Sequence, residues 1–182
     1  PWSQSPLVPE SPSGRARMTT GRGLLILSLL FLCTLPAVTT RLYANDEVEY
    51  FAWLRSTAFD RDADFENEYQ HFYDAGAMNN AGFHETFLER RNEAGRRHNF
   101  APVGTALLWA PFFAAGHVVA VLSGAATDGY SQPYVTAVTW GSAVYGFVSL
   151  LLSAAVVRRV VGRAWGATTA VWIGTPLLFY MY

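Results

Sequence analysis

The sequence predicts an all-α protein: a multi-span transmembrane helix bundle with an external loop that contains interfacial helices. Residues 23–40 carry no charged side chain. Between Arg97 and Arg158 there is one acid, Asp128, and no Lys or Arg, although a soluble domain would scatter charges through such a stretch. The remaining charge is concentrated between these runs, with twelve acids from Asp46 to Glu93 and seven arginines from Arg41 to Arg97. The net charge is −1, so no global field favours nucleic acid as a partner. The single Cys33 allows no disulfide framework or cysteine metal site within one chain, and it reads as a small buried apolar residue.

Residues 1–17 hold Pro1, Pro6, Pro9 and Pro12 among Ser and Gly without apolar periodicity. They read as disordered, and Met18 is a candidate start that would leave them outside the native protein. Residues 18–40 are the expected first transmembrane helix, preceded by Arg15, Arg17 and Arg22, which keep that end inside. A cleaved signal peptide is the rival reading of this run.

Residues 41–102 are the expected external loop. The segment 46–59 reads as a helix, with Asp46 followed by Glu49 at capping-box spacing. Val48, Phe51, Ala52 and Phe59 fall on one side of it, while Tyr50 and Trp53 suit a membrane–water boundary. A second short helix is expected over 83–93, stopped by Gly95. The alternation Asp60, Asp62, Asp64, Glu66, Glu68 could hold a divalent cation. It lacks the Gly and terminal Glu of a calcium loop, so a solvated loop edge is the preferred reading and no metal ligand is assigned.

Residues 103–182 are expected to hold transmembrane helices two to four, truncated at the C-terminus. The second runs over 103–124, and Ala125–Pro133 is a turn-rich loop. The third covers 134–157, with Gly141, Ser142, Ala143 and Gly146 as a small-residue face. A basic connector with Arg158, Arg159 and Arg163 leads to an uncharged run, 164–182. Counting four spans from an inside N-terminus places this connector outside, against the positive-inside tendency. Either a middle segment does not cross, or the first helix and the large loop dominate orientation; the second explanation is preferred.

Candidate site residues cluster near the ends of the polar region. Asp46 and Glu47 begin the first external helix, where a carboxylate serves as a cap and, when partly desolvated, as a general base. Arg90, Arg91, Arg96 and Arg97, and more weakly Arg55, offer guanidinium groups suited to bidentate phosphate binding. His98 precedes Pro102 at the start of the second apolar run. No P-loop, dinucleotide fingerprint or Gly-x-Ser-x-Gly element is present.

A basic N-terminus, one apolar run and then Asp46-Glu47 on an external interfacial helix resemble the N-terminal part of the GT-C glycosyltransferases. These are integral membrane enzymes of the protein O-mannosyltransferase and aminoarabinose transferase type. His98-Asn99-Phe100-Ala101-Pro102 is similar to the family's His-Pro-Pro or Lys-Pro-Pro motif, with Ala101 in place of one proline. The Arg158-Arg159-Val160-Val161-Gly162 stretch resembles the family's basic link between the third and fourth spans. The resemblance implies an inverting, metal-independent or metal-assisted transfer from a polyprenyl-phosphate sugar donor to a glycan, lipid or protein acceptor. Asp46 would act as base and Glu47 as its partner. Arg55, Arg90, Arg91, Arg96, Arg97 and His98 are the candidate substrate-binding residues. It also implies a multi-pass protein of the bacterial inner membrane, with the lipid bilayer as surroundings. The fragment alone is expected to be inactive. The competing readings are a multi-span transporter and a non-catalytic membrane assembly protein. No apolar run carries the buried Asp, Glu, Lys or Arg that transport coupling usually needs.

Overall fold

The computed structural model describes residues 20–160. The segment 1–17, Arg163 and the run 164–182 lie outside the described residues. Within them the protein is all-helical and forms no strand. In chain order the helices are α1 (Thr20–Thr34), α2 (Asn45–Arg55), α3 (Glu66–Asp74), α4 (Ala81–Phe83), α5 (Val103–Ser123) and α6 (Gln132–Val160).

Helix α1 gives way to a single 3-10 turn over Leu35–Ala37 and then to extended chain, earlier than residue 40. Pro36 explains the stop, since it supplies no N–H and restricts the residue before it. Cys33 lies on the exposed side of α1 and is not buried. Helix α2 continues through a π-type turn, Ser56–Asp60, and ends where Arg61 adopts a left-handed conformation at φ 60°. This matches the expected 46–59 helix. The acidic run yields α3 in place of the expected solvated loop edge. Phe65, Tyr69 and Phe72 repeat at helical spacing and are buried, so their stripe overrides the solvated appearance of the acids between them. The expected 83–93 helix ends earlier. Asn80 caps α4 by accepting from Phe83 N (2.8 Å), the helix continues as a π-type turn over His84–Glu89, and a tight turn follows.

Aromatic rings join these pieces. Phe51 of α2 meets Phe72 of α3 and Phe113 of α5 edge to face, with ring centroids 5.6 Å apart in each case. Phe59 reaches Phe113 and Tyr134, at 6.2 and 6.0 Å. Val48, Phe51, Ala52, Tyr69, Phe83, Ala120, Tyr134 and Val138 are all fully buried. The core therefore sits between the polar region, α5 and the first half of α6.

Helices α5 and α6 form an antiparallel hairpin. A Cβ at Gly116 would lie 2.9 Å from both Pro133 O and Tyr134 Cα, so only glycine permits this approach. Trp109 Nε1 donates to Ser142 Oγ (2.9 Å), and Gly141 lies under the Phe112 ring. The expected small-residue face is thus used in part, against α5. Gly116→Leu should cost about 1–3 kcal/mol by overpacking, because the opposing atoms are backbone. The measurement is the unfolding midpoint in detergent, with Gly104→Leu, at an open position, as the unchanged control.

Helices α5 and α6, of 21 and 29 residues, are long and apolar enough to cross a membrane by length and composition. The loop after α5 bears on the expected order of spans. Arg55 Nε donates to Asp128 O (3.4 Å), and the His71 and Tyr130 rings stack at 3.9 Å. Loop 125–131 therefore packs on the same polar region that precedes α5. The four-span order would put those two segments on opposite faces.

Candidate functional site

The start of α2 separates the roles of its acids. Ala44 is the residue before the helix, with φ −109° and ψ 151°, so the third helical position is Glu47. Glu47 Oε2 accepts from Tyr43 N (2.6 Å) and Ala44 N (3.0 Å). This is the backward-reaching half of a capping box; alanine has no side-chain acceptor to supply the other half. Glu47 is therefore the capping acid, a part the sequence reading gave to Glu49.

Glu49 turns inward instead. It is 6% exposed and accepts from Phe100 N at 2.5 Å. Burial raises its pKa, the Phe100 and Ala101 amides pull the other way, and the Asp46 charge adds to the rise. Asn99 completes the clip. Its Nδ2 donates to Glu49 O (2.9 Å), and its Oδ1 accepts from Ala101 N (3.0 Å). Trp53 Nε1 donates to Ala101 O and Tyr69 Oη to His98 O, each at 3.0 Å. The segment 98–101 is thereby fixed on α2 and α3. His98 is half-buried, with its ring stacked over Phe100 at 5.3 Å. Asp46 differs from its neighbours: it is exposed and makes no hydrogen bond or ion pair among the described residues.

Most of the arginines are already matched. Arg91 and Arg97 face each other across a turn, where Gly95 has φ +76° and Asn92 Oδ1 accepts from Ala94 N and Arg96 N. Both arginines hold Glu66, Arg91 at 3.0 Å and Arg97 at 2.6 Å. The Arg97 hydrogen bond keeps the Glu66 carboxyl below its ordinary range, against the effect of burial, with Arg91 helping. Arg90 pairs with Glu85 at 2.6 Å on the exposed surface. Arg96 is exposed and has no ion pair among the described residues. Of the four, Arg96 alone lacks an ion pair among the described residues, although its charge adds to the Ser56 hydrogen bond in holding the Asp62 carboxyl below its ordinary range.

Arg55 is the hub of a partly buried network, in which Glu68 is buried and Asp60 exposed. It binds Asp60, reaches Glu68 Oε1 at 3.1 Å, and lies over the Tyr130 ring at 4.5 Å. Glu68 is fully buried, and its Oε2 has no partner. Burial pushes its pKa up to about 7, while Arg55 opposes the rise. A carboxyl raised in the folded state favours the neutral form. Its contribution to stability is fully present below the unfolded value and is lost as pH rises through the folded one. Unfolding free energy should therefore fall between about pH 4.5 and pH 7, and Glu68→Gln should flatten that slope in a denaturant titration across pH. Asp60 lies on Arg55, Asp62 accepts from Ser56 Oγ (2.8 Å) and Glu66 holds Arg91 and Arg97, whereas the buried Asp64 Oδ1 has no hydrogen-bond partner. No three metal-ligating side chains converge among the described residues.

An open, apolar groove of about 690 Å³ runs between α2 and α5. Trp53, Leu54, Phe59, Leu107, Phe113 and His117 are among its walls.

Sequence reasoning missed Glu49 and Asn99 as the clip on 98–101, and Glu66 and Glu68 as arginine partners. A signal existed for Glu49: it sits beside Val48 and three residues before Ala52, on the face that α2 buries. None existed for Glu66 and Glu68, whose partners come from distant parts of the chain. The chain matches no family model, no curated protein and no solved structure.

Proposed function

We propose that the chain is the N-terminal part of an integral membrane glycosyltransferase that takes its sugar from a polyprenyl-phosphate donor. The observation that carries this reading is the division of labour at the start of α2. Glu47 fixes the helix start, Glu49 anchors the adjacent 98–101 segment, and Asp46 is left exposed with no partner among the described residues. A carboxylate held in place yet unspent suits a general base. In the proposed step Asp46 accepts the proton of an acceptor hydroxyl. The hydroxyl oxygen then bonds to the anomeric carbon, and the bond from that carbon to the phosphate oxygen breaks with inversion. The negative charge leaves on the polyprenyl phosphate, and Arg96, whose backbone N–H is held by Asn92 Oδ1, supplies the counter-charge in this proposal. Glu47 acts as a positioning residue for Asp46. The α2–α5 groove is apolar enough to hold part of the lipid tail.

The test is sugar transfer from a polyprenyl-phosphate donor in membranes carrying the full-length protein, with Asp46→Asn as the deciding variant. Activity that depends on Asp46 is expected. Transfer indifferent to Asp46 would overturn the assignment.

A further inference from the structure

The loop that joins α5 to α6 holds its own shape. Asp128 Oδ1 accepts from Tyr130 N (2.8 Å) and Ser131 N (3.0 Å), and Gly129 takes φ +85° within that turn. Its attachment to α2 and α3 is a separate matter. Arg55 Nε donates to the Asp128 carbonyl, and the Arg55 guanidinium lies over the Tyr130 ring at 4.5 Å. The His71 ring stacks on the same tyrosine at 3.9 Å, with 15° between the planes. Gly129 is buried against α2 and the turn that follows it: a Cβ there would stand 2.9 Å from both Arg55 Cγ and Phe59 Cε2.

Phe59 connects this loop to the α2–α5 groove. Its ring is part of the groove wall and meets Phe113, His117 and Tyr134 edge to face. Gly129 backs the ring on the side of the loop, so lifting the loop removes one of the surfaces that hold the wall in place. Two groups at this junction change charge near neutral pH, and both lie on α3. Glu68 is buried beside Arg55, and burial holds its pKa up at about 7. His71 touches the loop directly. Burial lowers its pKa from the ordinary 6.5; Asp128 and Asp74 oppose the fall, and Arg55 adds to it. Tyr130 stays neutral, since burial raises its pKa. The neutral imidazole is therefore the form that stacks. Its contribution to closure is fully present above 6.5 and is lost as pH falls through the lowered value. His71 also keeps an edge open to solvent, so a proton reaches it without unfolding.

We propose that loop 125–131 is an acid-released strap: a proton on His71 parts its ring from Tyr130, lifts the loop from α3 and frees the Phe59 wall of the α2–α5 groove. The new charge stands over the same aromatic ring as the Arg55 guanidinium, and it needs water that the stack keeps out. Glu68 acts on the loop only through Arg55 and titrates in the opposite sense, so its contribution is separable. The strap stands on these contacts alone and does not depend on the glycosyltransferase reading.

The test is a pH titration of the distance between spin labels at Thr127→Cys and Ala77→Cys, both exposed positions, in the full-length protein in detergent with Cys33→Ala. A longer distance should grow in as pH falls from about 7 to about 5, with the open-to-closed ratio rising by at most about tenfold per pH unit, the limit for one proton. His71→Phe keeps a ring that stacks but takes no proton, and it should hold the short distance throughout. Glu68→Gln should retain the acid transition. A distance indifferent to pH in the parent protein would overturn the inference, as would the same transition in His71→Phe. Loss of the transition in Glu68→Gln would move the switch to Glu68 and overturn the assignment to His71.

Discussion

Arg55→Ala should destabilise the protein by about 3–5 kcal/mol, the usual cost of removing one partner from a buried ion pair. Arg55 is 14% exposed at the side chain, and Glu68 is fully buried with Arg55 as its ion-pair partner among the described residues. Without the guanidinium, Glu68 must stay ionised in an apolar site or take up a proton. The substitution also releases Asp60, the Asp128 carbonyl and the face of Tyr130, so α2, α3 and loop 125–131 lose their common link. The loss should be smaller at low pH, where Glu68 is protonated. Replacing both partners by Met should recover much of it, because the double change leaves no lone buried charge. Denaturant unfolding of the single and double variants in detergent measures this. A single-variant loss below about 1 kcal/mol would place Arg55 among ordinary surface pairs.

How much of this was legible in the sequence depends on how far apart the partners lie along the chain. Helix α2 was legible because Val48, Phe51 and Ala52 repeat at helical spacing, and α5 and α6 because they are long and apolar, with charge only at Arg158 and Arg159 in the last turn of α6. Helix α3 was obscured by its acids: Glu66 and Glu68 look solvated until the aromatic stripe of Phe65, Tyr69 and Phe72 is counted as buried. Glu47 and Glu49 exchanged expected roles because capping depends on where the first helical residue falls, which local pattern leaves open by a residue or two. The arginines read as a phosphate clamp because their partners are remote. Glu66 lies 25 positions from Arg91 and 31 from Arg97. Only folding shows that those charges neutralise one another, and that Arg96 makes no ion pair with Glu66.

The most direct test of the central claim is the rate of sugar transfer by Asp46→Asn in the full-length protein, compared with Glu47→Ala and with wild type. Asparagine keeps the size and the helix-start preference of aspartate but cannot take the proton. With Asp46 as the general base, Asp46→Asn should lose about 10²- to 10⁴-fold in rate with an unchanged unfolding midpoint. Glu47→Ala should instead lower stability by about 1 kcal/mol through the lost cap and retain more activity than Asp46→Asn. Transfer by Asp46→Asn at close to the wild-type rate, in membranes with normal expression, would contradict the account.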